Sequence, residues 1–416
     1  MKKIIILFAF ILFYSSCKDD KSVDSDHVTA ATLLGNPKYQ AICYGGYRTD
    51  SRENQPTILE IKEDLRILEA LKIKVVRTYN VHFAEASNLL QAITELQKED
   101  KNFEMYVMLG AWIDCKNAWT KEAPIHNQES QRNEVEIKEA VKLANQYPKI
   151  VKIIGVGNEA MVQWATSYYV TPNIILKWVN YLQELKKQKK LPQNLWITSS
   201  DNYLSWGGGD IMYHTKDLNK LIKAVDYISL HTYPIHDERS FPQIWGITEN
   251  QKQLSDTMKI QAAMNRAKDY AALQYKSVQT YMKSIGINKP VHIGETGWTT
   301  MDNVYYGEKG SKAADEYKAG LYYKLIRDWT NKEKITCFYF EAFDENWKDQ
   351  PNAQGAENHF GLINLKSEAK FALWNEVDAG VFKNIKRAGL TIKKSYQGDL
   401  KSLWKDVKIP PTIKAN

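Results

Sequence analysis

The sequence predicts a closed (β/α)8 barrel, and three observations carry that expectation. Eight short apolar runs alternate with segments of helical periodicity. The runs are apolar nearly throughout, as parallel strands covered on both faces must be. Two of them, at 150–159 and 291–295, end in a carboxylate beside glycines. A lone carboxylate inside a strand costs several kcal/mol of desolvation, whereas at a strand end it can face a cleft.

The first strand is read at residues 39–47, with Gly45-Gly46 at its end. Segment 57–71 places Ile58, Ile61, Leu65, Leu68 and Leu71 at the spacing of an amphipathic helix. A β-branched strand at 73–80, a helix at 84–97 and a strand at 103–111 follow. A long loop, 112–128, carries Trp112, Trp119 and Pro124. A helix at 129–146 leads to the fourth strand, 150–159. Helix 173–190, strand 195–200 and a short helix at 217–224 precede the sixth strand, 227–233, which Pro234 ends. A long helix at 257–285, a strand at 291–295, a helix at 312–330 and a strand at 335–341 complete eight repeats. No linker divides residues 33–416, so they read as one barrel domain, with a C-terminal extension holding a helix near 371–377 and packing across the barrel.

Composition narrows the function. The chain has 416 residues and a net charge of +7, spread without an arginine-rich stripe, which argues against a nucleic-acid partner. Aromatic residues make up 12% of it, with 12 Trp and 24 Tyr, a supply of flat apolar faces suited to sugar rings as well as to core. Cys43, Cys115 and Cys337 have neither the count of a disulfide framework nor metal-ligand spacing. Cys43 and Cys337 fall in the first and last strands, neighbours in a closed barrel, and read as buried free thiols. At the N-terminus, Lys2-Lys3, an apolar run at 4–14 and Ser15-Ser16-Cys17 have the order of a secretory signal too short to span a bilayer.

In a barrel the active site lies at the C-terminal strand ends. Those ends supply Arg77, Tyr79, Trp112, Asn158, Glu159, Asp201, Asn202, His231, Tyr233, Glu295 and Trp298, then Glu341, Asp344 and Glu345. The set is acidic and aromatic, with no ligand cluster for a metal and no motif for an organic cofactor. Paired carboxylates in an aromatic cleft fit glycosidic bond cleavage, one acid protonating the leaving oxygen while the other attacks the anomeric carbon or activates water. Against these roles stand plainer ones. Arg77 also reads as a structural partner for a carboxylate, and Tyr79 as cleft wall. Trp298 reads equally as pocket floor or stacking platform; Trp112, Trp119 and Trp347 read equally as core or platform. His231 and His292 lie within strands and read as core histidines, and Glu341 is left unassigned.

Gly157-Asn158-Glu159 and Gly294-Glu295-Thr296-Gly297-Trp298 resemble the fourth- and seventh-strand motifs of the clan A barrel glycosidases. Within that clan, Val76-Arg77-Thr78-Tyr79, Thr232-Tyr233-Pro234, Phe343 to Lys348 and Glu357 to Leu362 resemble glycoside hydrolase family 17, the β-1,3-glucanases and glucanosyltransferases. The resemblance implies a retaining hydrolase of laminarin-type β-1,3-glucan with Glu159 as acid/base and Glu295 as nucleophile. It also implies Asn158 on the sugar 2-hydroxyl, Tyr233 orienting Glu295, and Glu345, Lys348 and Glu357 in a polar cluster beside the pair, with Arg77, Tyr79 and Trp298 lining the sugar site. A glucanosyltransferase on the same site is the nearest alternative; a non-catalytic surface glycan-binding protein is a second, and keeping both acids argues against it. The N-terminal pattern resembles a bacterial lipoprotein signal at 1–17 with Cys17 lipidated, and Lys18-Asp19-Asp20 the export tag of Bacteroidetes-type surface lipoproteins. That reading implies a polar tether at 18–32 and an outer-membrane location, the lipid being the only membrane contact.

Overall fold

A computed structural model describes residues 28–237, 241–301 and 312–413. Eight parallel strands close into one barrel in sequence order: β1 (Gln40–Cys43), β2 (Ile73–Arg77), β3 (Tyr106–Ala111), β4 (Val151–Asn158), β5 (Trp196–Asn202), β6 (Ile228–His231), β7 (Val291–Gly297) and β8 (Cys337–Phe340). Closure pairs β8 with β1 through Ala41 with Phe338 and Ile42 with Tyr339. Cys43 and Cys337 lie on this seam as buried free thiols.

Seven long helices sheathe the strands: α1 (Ile58–Ala70), α2 (Ala84–Glu99), α3 (Arg132–Gln146), α4 (Pro172–Lys187), α5 (Lys216–Ala224), α6 (Asp256–Ser284) and α7 (Glu316–Lys332). Several of their starts are coded locally. Thr57 and Glu60 form a capping box on α1, the Thr57 hydroxyl accepting from the Glu60 N–H (3.3 Å) and Glu60 from the Thr57 N–H (2.9 Å). Ser255 and Asp315 cap α6 and α7, which start at Asp256 and Glu316 where the periodicity predicts 257 and 312.

Three expectations need correction. The loop at 112–128 holds an antiparallel hairpin of Cys115–Lys116 with Ile125–Glu129, so α3 starts at Arg132 instead of 129. The hairpin's second strand is polar and largely solvated, which hides it from a hydrophobic pattern. The first strand is half the length read, because the chain after Cys43 turns over the barrel mouth. The C-terminal extension lies on the outside of the barrel, between α7 and α1, where an eighth helix would stand. Tyr317 of α7 packs on Phe371 (5.1 Å between rings) and on Trp404 (5.0 Å).

On the α1 side the extension is held by charge. Arg387 Nε donates to buried Asp64 Oδ1 (2.8 Å), which also takes a bond from Arg48 Nη2 (3.0 Å). Removing one partner of a buried pair leaves a desolvated charge behind. Arg387→Ala should therefore lower unfolding free energy by about 2–3 kcal/mol, less than the full cost since Arg48 remains. Chemical denaturation of the variant measures it.

Candidate active site

Both acidic strands are irregular at the point where they deliver their carboxylates. Between Gly155 and Asn158, β4 carries one residue more than the paired stretch of β5. On β7, Gly294 is the extra residue between Ile293 and Glu295 opposite Leu230 and His231. Such bulges re-aim the side chain that follows. A Cβ on Gly294 would lie 2.1 Å from Ser229 Oγ and 2.4 Å from Ser200 Oγ, so only glycine fits beneath the site. Glu159 itself has φ +45°, a left-handed conformation costing about 1 kcal/mol or more for a residue with a side chain. Its N–H donates to Ser200 O (2.9 Å), and buried Asp201 accepts the Met161 N–H (2.7 Å), fixing the turn from both sides. Burial, only partly opposed by that Met161 bond, pushes the Asp201 carboxyl up to about 7.

The two carboxylates meet at one imidazole. His231 Nδ1 lies 3.1 Å from Glu159 Oε1 and 3.5 Å from Glu295 Oε2. Those two oxygens can be no farther apart than the two distances laid end to end. On its other side, His231 Nε2 lies 2.7 Å from Ser200 Oγ and 3.3 Å from Arg77 Nη1. A guanidinium can only donate, so Nε2 accepts and the proton sits on Nδ1, facing the acids. His231 is thus part of the site, not the core histidine its strand position suggested. His292 is as read: buried, it accepts the Thr336 N–H at Nδ1 (3.1 Å), and burial pushes it down to about 4.

Glu295 is surrounded by donors. Arg77 Nη1 bonds its Oε1 (2.7 Å) and Tyr233 OH its Oε2 (2.8 Å). Burial works to raise its pKa, but His231, Arg77, Tyr233 and Lys348 outweigh that and hold the carboxyl below its usual 4.5. Arg77 also donates to Asn158 Oδ1 (2.6 Å) and Gly294 O (2.8 Å), so one buried guanidinium ties β2, β4 and β7 together. Asn158, held in this way, lines the cleft.

Above the acids lies a cleft of about 1100 Å³. Trp112, Trp119 and Tyr168 form one aromatic wall, the Trp119 and Tyr168 rings stacked at 5.0 Å; Trp347 stands in another. The three tryptophans left open between core and platform therefore face the cleft. Tyr79 lines it too, under the Arg77 guanidinium (4.8 Å to the ring). Trp298 does not. It is buried beside α7, its ring 4.9 Å from Tyr322 and its Nε1 donating to Ala313 O (2.9 Å), so its expected contact with sugar is corrected to a packing role.

The polar cluster beside Glu295 also differs from expectation. Lys348 Nζ bonds Glu345 Oε2 (3.1 Å) and, more closely, buried Glu341, the acid left unassigned. Burial, with Glu345 adding to it against Lys348, pushes the Glu341 carboxyl well above the usual range. Glu357 lines the cleft but faces His236 (4.0 Å) rather than Lys348. Residues the sequence did not single out, Trp164, Tyr168 and Tyr203, also line the cleft. They come from loops after β4 and β5, where no pattern distinguishes a cleft aromatic from a surface one. Cys17 lies outside the described residues. Among the described residues no three metal-ligating side chains gather, and no helix is long and apolar enough to cross a membrane.

A carboxyl held below 4.5 stays ionised as pH falls through 4.5, so the acidic limb of kcat/KM should lie under that value. Tyr233→Phe removes one donor to the anion, and its limb should move upward by about one pH unit. A pH–rate profile of both proteins checks the shift.

Residues 41–361 match the model of the BtgE/BtgC glycoside hydrolase domain. A crystal structure of an endo-laminarinase from Formosa Hel1_33_131 is 57% identical with a TM-score of 0.92, covering 94% of this chain and 99% of that one. A β-1,3-glucanosyltransferase of Rhizomucor miehei, described as glycoside hydrolase family 17, shares the fold at 19% identity and a TM-score of 0.54, over 86% of this chain and 98% of that one. Among curated proteins, one from Aspergillus niger named as a glucan endo-1,3-beta-glucosidase, btgC, is 24% identical over 85% of this chain. This chain spans about half of that relative's length (47%). A glucan 1,3-beta-glucosidase of Arthroderma benhamiae is 27% identical over 71% of this chain and 78% of its own. With the acid pair in place at the mouth of a closed barrel, the chain belongs to the BtgE/BtgC glycoside hydrolase domain family.

Proposed function

We propose that the protein is a retaining β-1,3-glucanase of glycoside hydrolase family 17 that cleaves laminarin-type chains internally. The observation that carries the mechanism is the shared His231 Nδ1, within 3.5 Å of both carboxylates. That reach fits the close spacing, about 5–5.5 Å between carboxyl groups, at which one acid attacks the sugar directly. The substrate assignment rests on the 57% identical endo-laminarinase, which this chain matches over nearly its whole length.

In the first step Glu295 attacks the anomeric carbon while Glu159 gives its proton to the leaving oxygen. A glycosyl ester forms on Glu295, and Glu159 becomes the anion. In the second step Glu159 takes a proton from water as that water attacks the anomeric carbon, which releases Glu295. The Nδ1–H of His231 can serve both stages, donating to Glu295 when it is charged and to Glu159 when the charge has moved. Asn158 holds the 2-hydroxyl of the reacting sugar through its free amide N–H groups. The N-terminal pattern supports a further part of the proposal, attachment to the outer membrane through a lipid on Cys17. Cys17→Ser should release the protein from membranes, and retention there would contradict the anchor.

A digestion panel of laminarin, mixed-linkage glucan, pustulan and cellulose should show soluble oligosaccharides from laminarin; activity confined to cellulose would contradict the assignment. Separating the two roles needs the acid variants. Glu159→Ala should lose laminarin cleavage by on the order of 10²–10⁴-fold, yet keep part of its activity on an aryl glycoside whose leaving group needs no proton. Azide should speed that residual turnover and give a β-glycosyl azide. Glu295→Ala should lose both activities and be rescued by azide only with an α product. The reverse pattern would exchange the two roles.

A further inference from the structure

The loops after β8, β1 and α2's first turn build a second polar and aromatic station at one end of the cleft, and it takes no part in the chemistry above. The Arg52 guanidinium lies between two rings, 4.3 Å from the centre of Trp347 and 4.4 Å from that of Phe83. Tyr47 backs Trp347 edge-on at 5.8 Å. Glu85, in the first turn of α2, also lines the cleft and is buried. Among the described residues, Glu85 Oε1 and Trp347 Nε1 have no hydrogen-bond partner, one an acceptor and the other a donor. A buried polar atom without a partner is costly, and a bound ligand that pairs with it offsets that cost. Burial and the neighbouring Glu345 charge push the Glu85 carboxyl well above the usual range, against Arg52 and Lys348. As a neutral acid it could both donate to and accept from a sugar hydroxyl.

Arg52 and Trp347 are not the end of the surface. They also line a separate hollow of about 410 Å³ on their far side, with Asp50, Ser51 and Gln350. The pair is therefore a ridge between the main cleft and an outer, polar pocket. Its position relative to the scissile bond follows from the roles of the acids. Trp164 and Tyr168 follow Glu159 in the loop after β4, which on the proposed roles places the leaving half of the chain on that side. Trp347 and Lys348 follow β8 and Arg52 follows β1, so their side of the cleft would take the half that becomes the glycosyl ester.

We infer that Glu85, Trp347 and Arg52 form a remote glycosyl-binding station for the non-reducing half of a β-glucan chain, and that the chain crosses their ridge into the outer pocket. The inference rests on the β-1,3-glucanase reading and adds a residue-level account of chain-length preference. A flat indole with a free N–H stacks on the apolar face of a pyranose and bonds its hydroxyl. Glu85 supplies the opposing polar group. Asp50, Ser51 and Gln350 offer further hydroxyl partners for the next unit. Binding energy gained this far from the acids can be expressed in kcat as well as KM.

The test is a chain-length series, laminaritriose to laminariheptaose, with wild type, Trp347→Ala, Arg52→Ala and Glu85→Gln. The station predicts that the ratio of kcat/KM on the heptaose to that on the triose falls about tenfold in Trp347→Ala, equivalent to about 1.4 kcal/mol. Arg52→Ala, a half-buried position, should lower the same ratio, while Glu85→Gln, which keeps an acceptor and a donor, should largely preserve it. Products from long substrates should also shift, since the station sets where the chain seats. Equal losses at every length would make the ridge a packing feature and overturn the inference, as would an unchanged ratio in both alanine variants. Wild type inactive across the whole series would instead overturn the substrate reading itself.

Discussion

The buried guanidinium of Arg77 is the constraint on which the site depends. An unpaired cation in a barrel interior is untenable, and the buried Arg77 is paired through its two Nη groups with Glu295, Asn158 and the Gly294 carbonyl. Those partners sit on two strands, β4 and β7, so satisfying the charge of Arg77 on β2 also fixes the three strand ends relative to one another. Glu295 gains as much as it gives, because burial alone would favour its neutral, unreactive form. Arg77 and Tyr233 help to hold it as an anion, the form the proposed nucleophilic attack requires. Asn158 is held by the same guanidinium at the floor of the cleft.

Around that charge the barrel spends local regularity on aim. A regular strand would point alternate side chains into the core and the sheath of helices. The bulge before Asn158 and the one at Gly294 break that alternation just before each acid. The left-handed Glu159 completes the turn on one side. On the other, the absence of a side chain at Gly294 lets Ser200 and Ser229 approach each other to 2.8 Å beneath His231. The imidazole held there faces both acids at once, so the two half-reactions proposed above would share one hydrogen-bond donor. The Lys348, Glu341 and Glu345 cluster adds a positive charge nearby that is itself neutralised, so the site is not flooded with cations.

Much of this arrangement is legible in the sequence. Strand-end glycines followed by Glu159 and Glu295 stand out, since a carboxylate after an apolar run has few places to go except a cleft. Arg77 and Tyr233 were legible for the same reason. His231 was not, because a histidine inside a strand looks the same whether its partner is a backbone carbonyl or a catalytic acid; only the bulge opposite reveals the difference. Trp298 misled in the opposite sense. It is adjacent to the motif, but β7 continues to Gly297 and turns the indole outward against Tyr322. The hairpin at 115–129 escaped because polar strands leave no periodic trace; the extension and its helix near 371–377 were legible, but not its place at the eighth helix position, since short irregular segments do not encode where they pack. Glu85 and Arg52 carry no local signal at all: one looks like a helix-start acid, the other like a loop cation.

In the proposed mechanism Glu295 forms a covalent bond to the sugar, which two carboxylates close enough to share His231 permit. Two successive displacements retain the configuration of the anomeric carbon, while a single attack by water inverts it. Proton NMR of laminari-oligosaccharide hydrolysis, recorded before mutarotation, reads the configuration of the newly released reducing end directly. With Glu295 as nucleophile the β-anomer should appear first, and the α-anomer should grow in only as mutarotation proceeds. Initial release of the α-anomer would contradict that role, and would mean that water, not Glu295, attacks the sugar.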